Sequence, residues 1–202
     1  MILETLPARD TAFNAVIAIH GYTGDEHALR PFVIGIRSHH TSWYFPRAPY
    51  ADRKGRGYTW FQGNDKDGWT YEESFDLLTE LIQHLRDEGF EYEQIYLLGF
   101  SQGACLSMDF MIRQNYRLGG IFPIAGFVKF PDHFIRDATL ASRSTPVHLF
   151  HGQNDDIVPV AAGEQARDLF QNLGYDIRLT TYPAGHKIPV SVAGLIRDVL
   201  QA

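Results

Sequence analysis

Apolar residues along the chain gather in short runs: AVIAIH (15–20), SWYF (42–45), QIYLLGF (94–100), GGIFPIA (119–125), PVHLFHG (146–152) and DIRLTTYP (176–183). The first, third, fourth and fifth of these lack polar alternation, the pattern of strands in a parallel sheet covered on both faces. Between the runs the period lengthens. In YEESFDLLTELIQHLRDEG (71–89), Phe75, Leu78, Leu81, Ile82 and Leu85 recur at steps of three and four until Gly89 breaks the pattern, which predicts a helix. Residues 102–115, 161–173 and 189–201 predict further helices.

Strands that alternate with helices imply right-handed βαβ units and a three-layer α/β sandwich around a mostly parallel central sheet. No repeat, low-complexity tract or shift in composition marks a linker, so residues 1–202 read as a single domain. Residues 46–70, PRAPYADRKGRGYTWFQGNDKDGW and onward, do not fit the alternation. Their prolines, glycines and aromatics describe a long ordered loop, and such loops often carry function. The plainer alternative is a surface excursion packed by its own Trp60 and Phe61.

Composition narrows the class. At 45% hydrophobic and 21% charged residues the chain is an ordinary globular protein, and its 202 residues suffice for one sizeable core. The net charge of −6 argues against nucleic acid, since the only basic cluster is Arg53-Lys54-Gly55-Arg56, which reads as loop decoration. Cys105 is the only cysteine and cannot form an internal disulfide; inside an apolar helix it reads as core packing. The N-terminal stretch lacks the charged and apolar regions of a signal peptide, and the cytoplasm is the expected location. No apolar run reaches the ~20 residues of a membrane-spanning helix.

The candidate chemistry starts at Gly99-Phe100-Ser101-Gln102-Gly103, which fits G-x-S-x-G. That pattern is weak alone, but an apolar strand precedes it and a helix follows, as an exposed nucleophile on a sharp strand-to-helix turn requires. Serine needs a base to take its proton, and the base needs an acid to fix its tautomer. In this architecture both belong just after later strands. Asp155 and Asp156 follow the strand at 146–152, and His186 follows the next one, giving the order serine, aspartate, histidine found in α/β-hydrolases. The oxyanion donors are expected at the backbone N–H of Gln102 and, from the loop IAIHGYTGDE, that of Tyr22. His20 reads as a structural group supporting that loop. His39 and His40 do not make a metal pair, because neighbours on a strand face opposite ways and no further ligand completes a site.

The set His20-Gly21, PRAP, TWF, GFSQGA, HGQNDDIVP and PAGHKI resembles the phospholipase/carboxylesterase family of α/β-hydrolases, over about residues 15–200. The resemblance implies an α/β-hydrolase fold without a large cap domain and serine-dependent hydrolysis of carboxylic esters or thioesters of small to medium acyl groups, with no metal or organic cofactor. It implies Asp155 as the acid, three residues after the glycine of the His-Gly pair and four before the proline. It also implies that Trp60 and Phe61 wall the acyl site. Two departures are visible: the oxyanion loop, His20-Gly21-Tyr22-Thr23-Gly24-Asp25, is one residue longer than the family's usual form, and Ala104 replaces a glycine. A shallow substrate pocket is expected from residues 46–70 with the loops near Tyr22 and Ile188.

Two other readings exist. Within enzymes it is a dienelactone-hydrolase-like or peptidase-like member of the fold, the first of which a cysteine at the elbow would favour. From another class it is a non-catalytic ligand-binding scaffold, whose mark would be loss of Ser101, Asp155 or His186. Acyl length, leaving group and oligomeric state, including a homodimer, stay open.

Overall fold

The apolar runs become the strands of one central sheet in the computed structural model, which describes residues 1–202. Its strands are β1 (Leu3–Leu6), β2 (Asn14–Ile19), β3 (Thr41–Pro46), β4 (Ile95–Phe100), β5 (Gly120–Ile124), β6 (Val147–Gly152) and β7 (Ile177–Tyr182). They lie in the order β1-β3-β2-β4-β5-β6-β7. All neighbours are parallel except β1, which runs antiparallel to β3 at one edge.

Strand geometry sends alternate residues to opposite faces, and both faces here are covered. Ala15, Ile17 and Ile19 of β2 join one buried cluster with Leu97 of β4 and Leu149 of β6, while Val16 and Ala18 join another with Leu98 and Phe150. The first cluster is closed by α2 (Glu72–Asp87), α3 (Gln102–Met111) and α5 (Val160–Asn172). The second is closed by α1 (Arg30–Ile36) and α6 (Val190–Leu200). In α2, Leu77, Leu78, Leu81, Ile82 and Leu85 face inward, and Glu72 and Glu73 complement the helix dipole in the first turn. From Gly103 to Met111, α3 is buried on every side.

Several elements depart from the sequence expectation. β1 was not anticipated because four residues, Leu-Glu-Thr-Leu, are too few to display a period. The helices α1 and α4 (Pro131–Asp137) are seven residues long and bury only Val33 and Ile36, and Phe134, so neither carries a readable stripe. α3 stops at Met111 rather than at 115, and Ile112 and Arg113 continue as a turn.

Residues 46–70, expected as a long ordered loop, are ordered but carry regular structure of their own. They hold two small hairpins, Tyr50–Ala51 with Tyr58–Thr59 and Gln62–Asn64 with Gly68–Thr70. Their ladders are too short for visible alternation, and within the second one Gly63, opposite Trp69, has φ +121°, where a Cβ would overlap the Gly68 carbonyl oxygen. An isolated bridge joins Gly24 to Tyr58, tying the first hairpin to the loop after β2. No helix is long and apolar enough to cross a membrane.

Candidate active site

Ser101 occupies the turn from β4 into α3 with φ 53° and ψ −113°, a conformation that L-residues with a side chain rarely adopt. Such a residue costs roughly 1–3 kcal/mol, which the surrounding packing must offset. The flanking glycines are dictated by close approach. A Cβ on Gly99 would overlap the Gly103 carbonyl oxygen, and one on Gly103 would overlap the carbonyl oxygen of Ile19. The Ser101 N–H donates to Ile124 O at 2.8 Å and fixes the turn to β5.

Two later strands deliver its partners. His186 Nε2 lies 2.9 Å from Ser101 Oγ, and His186 Nδ1 lies 2.8 Å from Asp155 Oδ2. The other carboxylate oxygen accepts the N–H groups of Val158 at 2.8 Å and Ile157 at 3.0 Å. Burial of Asp155 raises its pKa, but the N–H of Val158, the His186 ring and the N–H of Ile157 together outweigh it and hold the carboxyl below its ordinary value. An ionised Asp155 only accepts, so Nδ1 of His186 carries the proton and Nε2 is left to take the serine's. Asp156 is exposed and takes no part in this chain of bonds.

Beneath Asp155 sits His151, which sequence reasoning passed over as the end of a strand. It is fully buried; its Nε2–H donates to Val158 O at 2.8 Å and lies 3.7 Å from Asp155 Oδ2. The ring thus props the turn whose N–H groups hold the carboxylate. The signal available in the sequence was the histidine's place in His151-Gly152, directly before the acid's turn. Gly152 also has a role, since a Cβ there would overlap the carbonyl oxygen of Ala184 in the loop carrying His186.

On the other side of Ser101 stands the loop after β2. The Tyr22 N–H has no hydrogen-bond partner in the protein, and the Gln102 N–H, first in α3, lacks an intrahelical acceptor. Both are therefore available to an anion. Behind them, buried His20 donates from Nδ1 to Gly21 O at 2.7 Å and accepts the Ala48 N–H at Nε2, 3.2 Å away. Burial lowers its pKa, in keeping with a neutral ring that donates on one side and accepts on the other. An ion pair between Arg47 and buried Glu26 closes the same loop from below, with Arg47 Nε 2.6 Å from Oε2.

With this geometry in place, the comparison with known families is decisive: the phospholipase/carboxylesterase model matches residues 2–202. The chain belongs to the phospholipase/carboxylesterase family. Its sheet order, two helical layers and lack of a large cap are those of an α/β-hydrolase. Esterase PE8 superposes with a TM-score of 0.86 at 28% identity, covering 98% of this chain and 96% of its own. The Bacillus cereus carboxylesterase shares the fold, with a TM-score of 0.78 at 20% identity over 98% and 92% of the two chains. Among sequence relatives, acyl-protein thioesterase 1 of Gibberella zeae is 39% identical over 109 residues, 52% of this chain and 46% of its own length. The protein of that name from Yarrowia lipolytica is 28% identical over 185 residues, 83% of this chain and 80% of its own.

In this family member the expected substrate wall needs correction. Trp60 is completely buried, and its Nε1–H donates to His20 O at 2.9 Å. It is a strut under the loop after β2 and presents no face to a substrate. Phe61, by contrast, lines a cleft of about 390 Å³ together with Tyr22, Thr59, Trp69 and Gln102. Ile188 is half-buried and packs on the core closed by α1 and α6; it does not line that cleft. The Gln102 side chain fastens hairpin to helix: Oε1 accepts the Trp60 N–H at 2.9 Å and Nε2 donates to Thr59 Oγ1 at 2.9 Å. Cys105 is buried in the core and its thiol is pushed up to about 12 by that burial. His39 and His40 diverge, His40 stacking on Phe13 and His39 lying near Asp10.

Proposed function

We propose that this chain is a serine hydrolase that cleaves carboxylic esters or thioesters of small to medium acyl groups through an acyl-enzyme. The observation that carries the reading is the continuous chain of hydrogen bonds from Asp155 through His186 to Ser101, beside two unengaged N–H groups. The relatives named carboxylesterase and acyl-protein thioesterase support the choice of oxygen ester and thioester as the substrates.

In this reading Ser101 Oγ attacks the acyl carbonyl carbon while His186 Nε2 takes its proton. Asp155 stabilises the imidazolium, and the N–H groups of Tyr22 and Gln102 receive the oxyanion. Collapse of the tetrahedral intermediate breaks the bond to the leaving group, which takes the proton back from His186. Water then attacks the acyl-serine, His186 again moving one proton in and one out, and the acid is released with Ser101 restored. Each oxyanion donor is expected to supply ~10²–10³ in rate.

The test is hydrolysis of 4-nitrophenyl esters of increasing acyl length, and of matching thioesters, by the wild type, Ser101→Ala, Asp155→Asn and Asp156→Asn. Turnover by the wild type and Asp156→Asn, with loss in the other two, is the expected result. Full activity in Ser101→Ala refutes the reading.

A further inference from the structure

Next to the proposed site stands a cation that makes no ion pair at contact distance, the nearest acid on its box being Asp65. Lys129 follows β5 in a segment pressed against the start of α3, where the Phe127 N–H contacts Cys105 Sγ at 3.5 Å, one turn after Ser101. Its Nζ lies 3.5 Å from the centre of the Trp69 ring, 5.4 Å from that of Phe130 and 5.6 Å from that of Phe61. Trp69 is itself anchored, donating from Nε1 to Asp65 at 2.8 Å. No carboxylate lies within 4.0 Å of the ammonium, and none of its protons meets an acceptor in the protein.

We propose that Lys129 binds a carboxylate carried by the substrate, so that the enzyme prefers esters or thioesters bearing a negative charge. Phe61 and Trp69 form two sides of the lysine's box and also line the cleft beside Gln102, so the cation and the cleft share their aromatic walls. The ring faces attract the ammonium and restrict its rotamers, which removes much of the ordering cost of holding an anion. They accept no conventional hydrogen bonds, and three strong donors are left for a ligand's oxygens. Burial lowers the pKa of Lys129, and the negative charge of Asp65 offsets only part of that. Arg53 and Lys54 line the same cleft along with Asp52, whose charge is paired with Arg56, and cations grouped on low-dielectric walls attract anions even in a chain of net charge −6. The carboxylate belongs either to the acyl group or to the leaving group, and the chemistry of recognition is the same.

The inference rests on the hydrolase reading, so binding is measured apart from turnover. In Ser101→Ala, calorimetry compares 4-nitrophenyl butyrate, its analogue with a carboxylate at the end of the acyl chain (4-nitrophenyl hydrogen glutarate), and 4-butyryloxybenzoate, charged on the leaving group. One charged ester should bind about tenfold more tightly than the neutral one, and which of the two does so locates the anion. Adding Lys129→Met, which keeps the apolar stem in its box, should abolish that preference, Lys129→Arg should retain it, and added salt should weaken it. Equal binding of all three esters, or a preference that survives Lys129→Met, overturns the proposal. Failure of the wild type to hydrolyse any of them overturns the hydrolase reading separately.

Discussion

At the scale of single residues, the proposed site depends on groups that never touch a substrate. His151 satisfies the Val158 carbonyl under Asp155, so His151→Phe leaves that buried acceptor unpaired. The cost should be roughly 1–3 kcal/mol of stability, read from urea unfolding. Glu26 is the clearest titrating support. Its hydrogen bonds from Arg47 hold the carboxyl at about 2, against an ordinary 4.5. A carboxyl whose folded pKa is depressed stabilises the protein above its unfolded value, and that contribution disappears as pH falls through the folded one. Stability should therefore decline as pH drops from about 4.5 to about 2, and Arg47→Met should flatten that part of the curve in unfolding measured across pH. Residues of this kind were hard to read from the sequence. The family resemblance made Trp60 a pocket wall, whereas its indole N–H is taken by the His20 carbonyl, a contact forty residues distant that no local pattern displays.

At the scale of elements, the legible parts were those whose packing repeats. β2, β4, β5 and β6 are covered on both faces, so their runs are apolar throughout, and α2 buries a clean stripe. β1, α1, α4 and the two hairpins depend on a few contacts each and leave no period. The proposed nucleophile, acid and base were accessible for a geometric reason. Parallel strands all end on one side, so residues following β4, β6 and β7 converge there wherever they lie in the chain. Close backbone approach then sets their spacing. Gly152→Ala would push back the Ala184 carbonyl and with it the loop that holds His186. We expect kcat to fall about 10²-fold, the cost of misplacing a reacting group by an ångström, while unfolding stays cooperative. Steady-state kinetics and circular dichroism on the same sample check both halves.

At the scale of the whole molecule, the seven-stranded sheet acts as a rigid base and the decoration above its C-terminal ends sets what enters. The Tyr22 loop, the hairpins of residues 50–70 and the segment carrying Lys129 meet there, joined by the Gln102 side chain, the Gly24–Tyr58 bridge and the aromatic box. No large cap covers the cleft, so selectivity has to come from these short segments and their charges. The central claim about the molecule is that Ser101 is the activated nucleophile. It is tested most directly by reacting the folded protein with a fluorophosphonate and locating the adduct by peptide mass spectrometry. The account predicts one adduct per chain, on Ser101, lost in His186→Ala; an unlabelled protein, or an adduct on another residue, would contradict it.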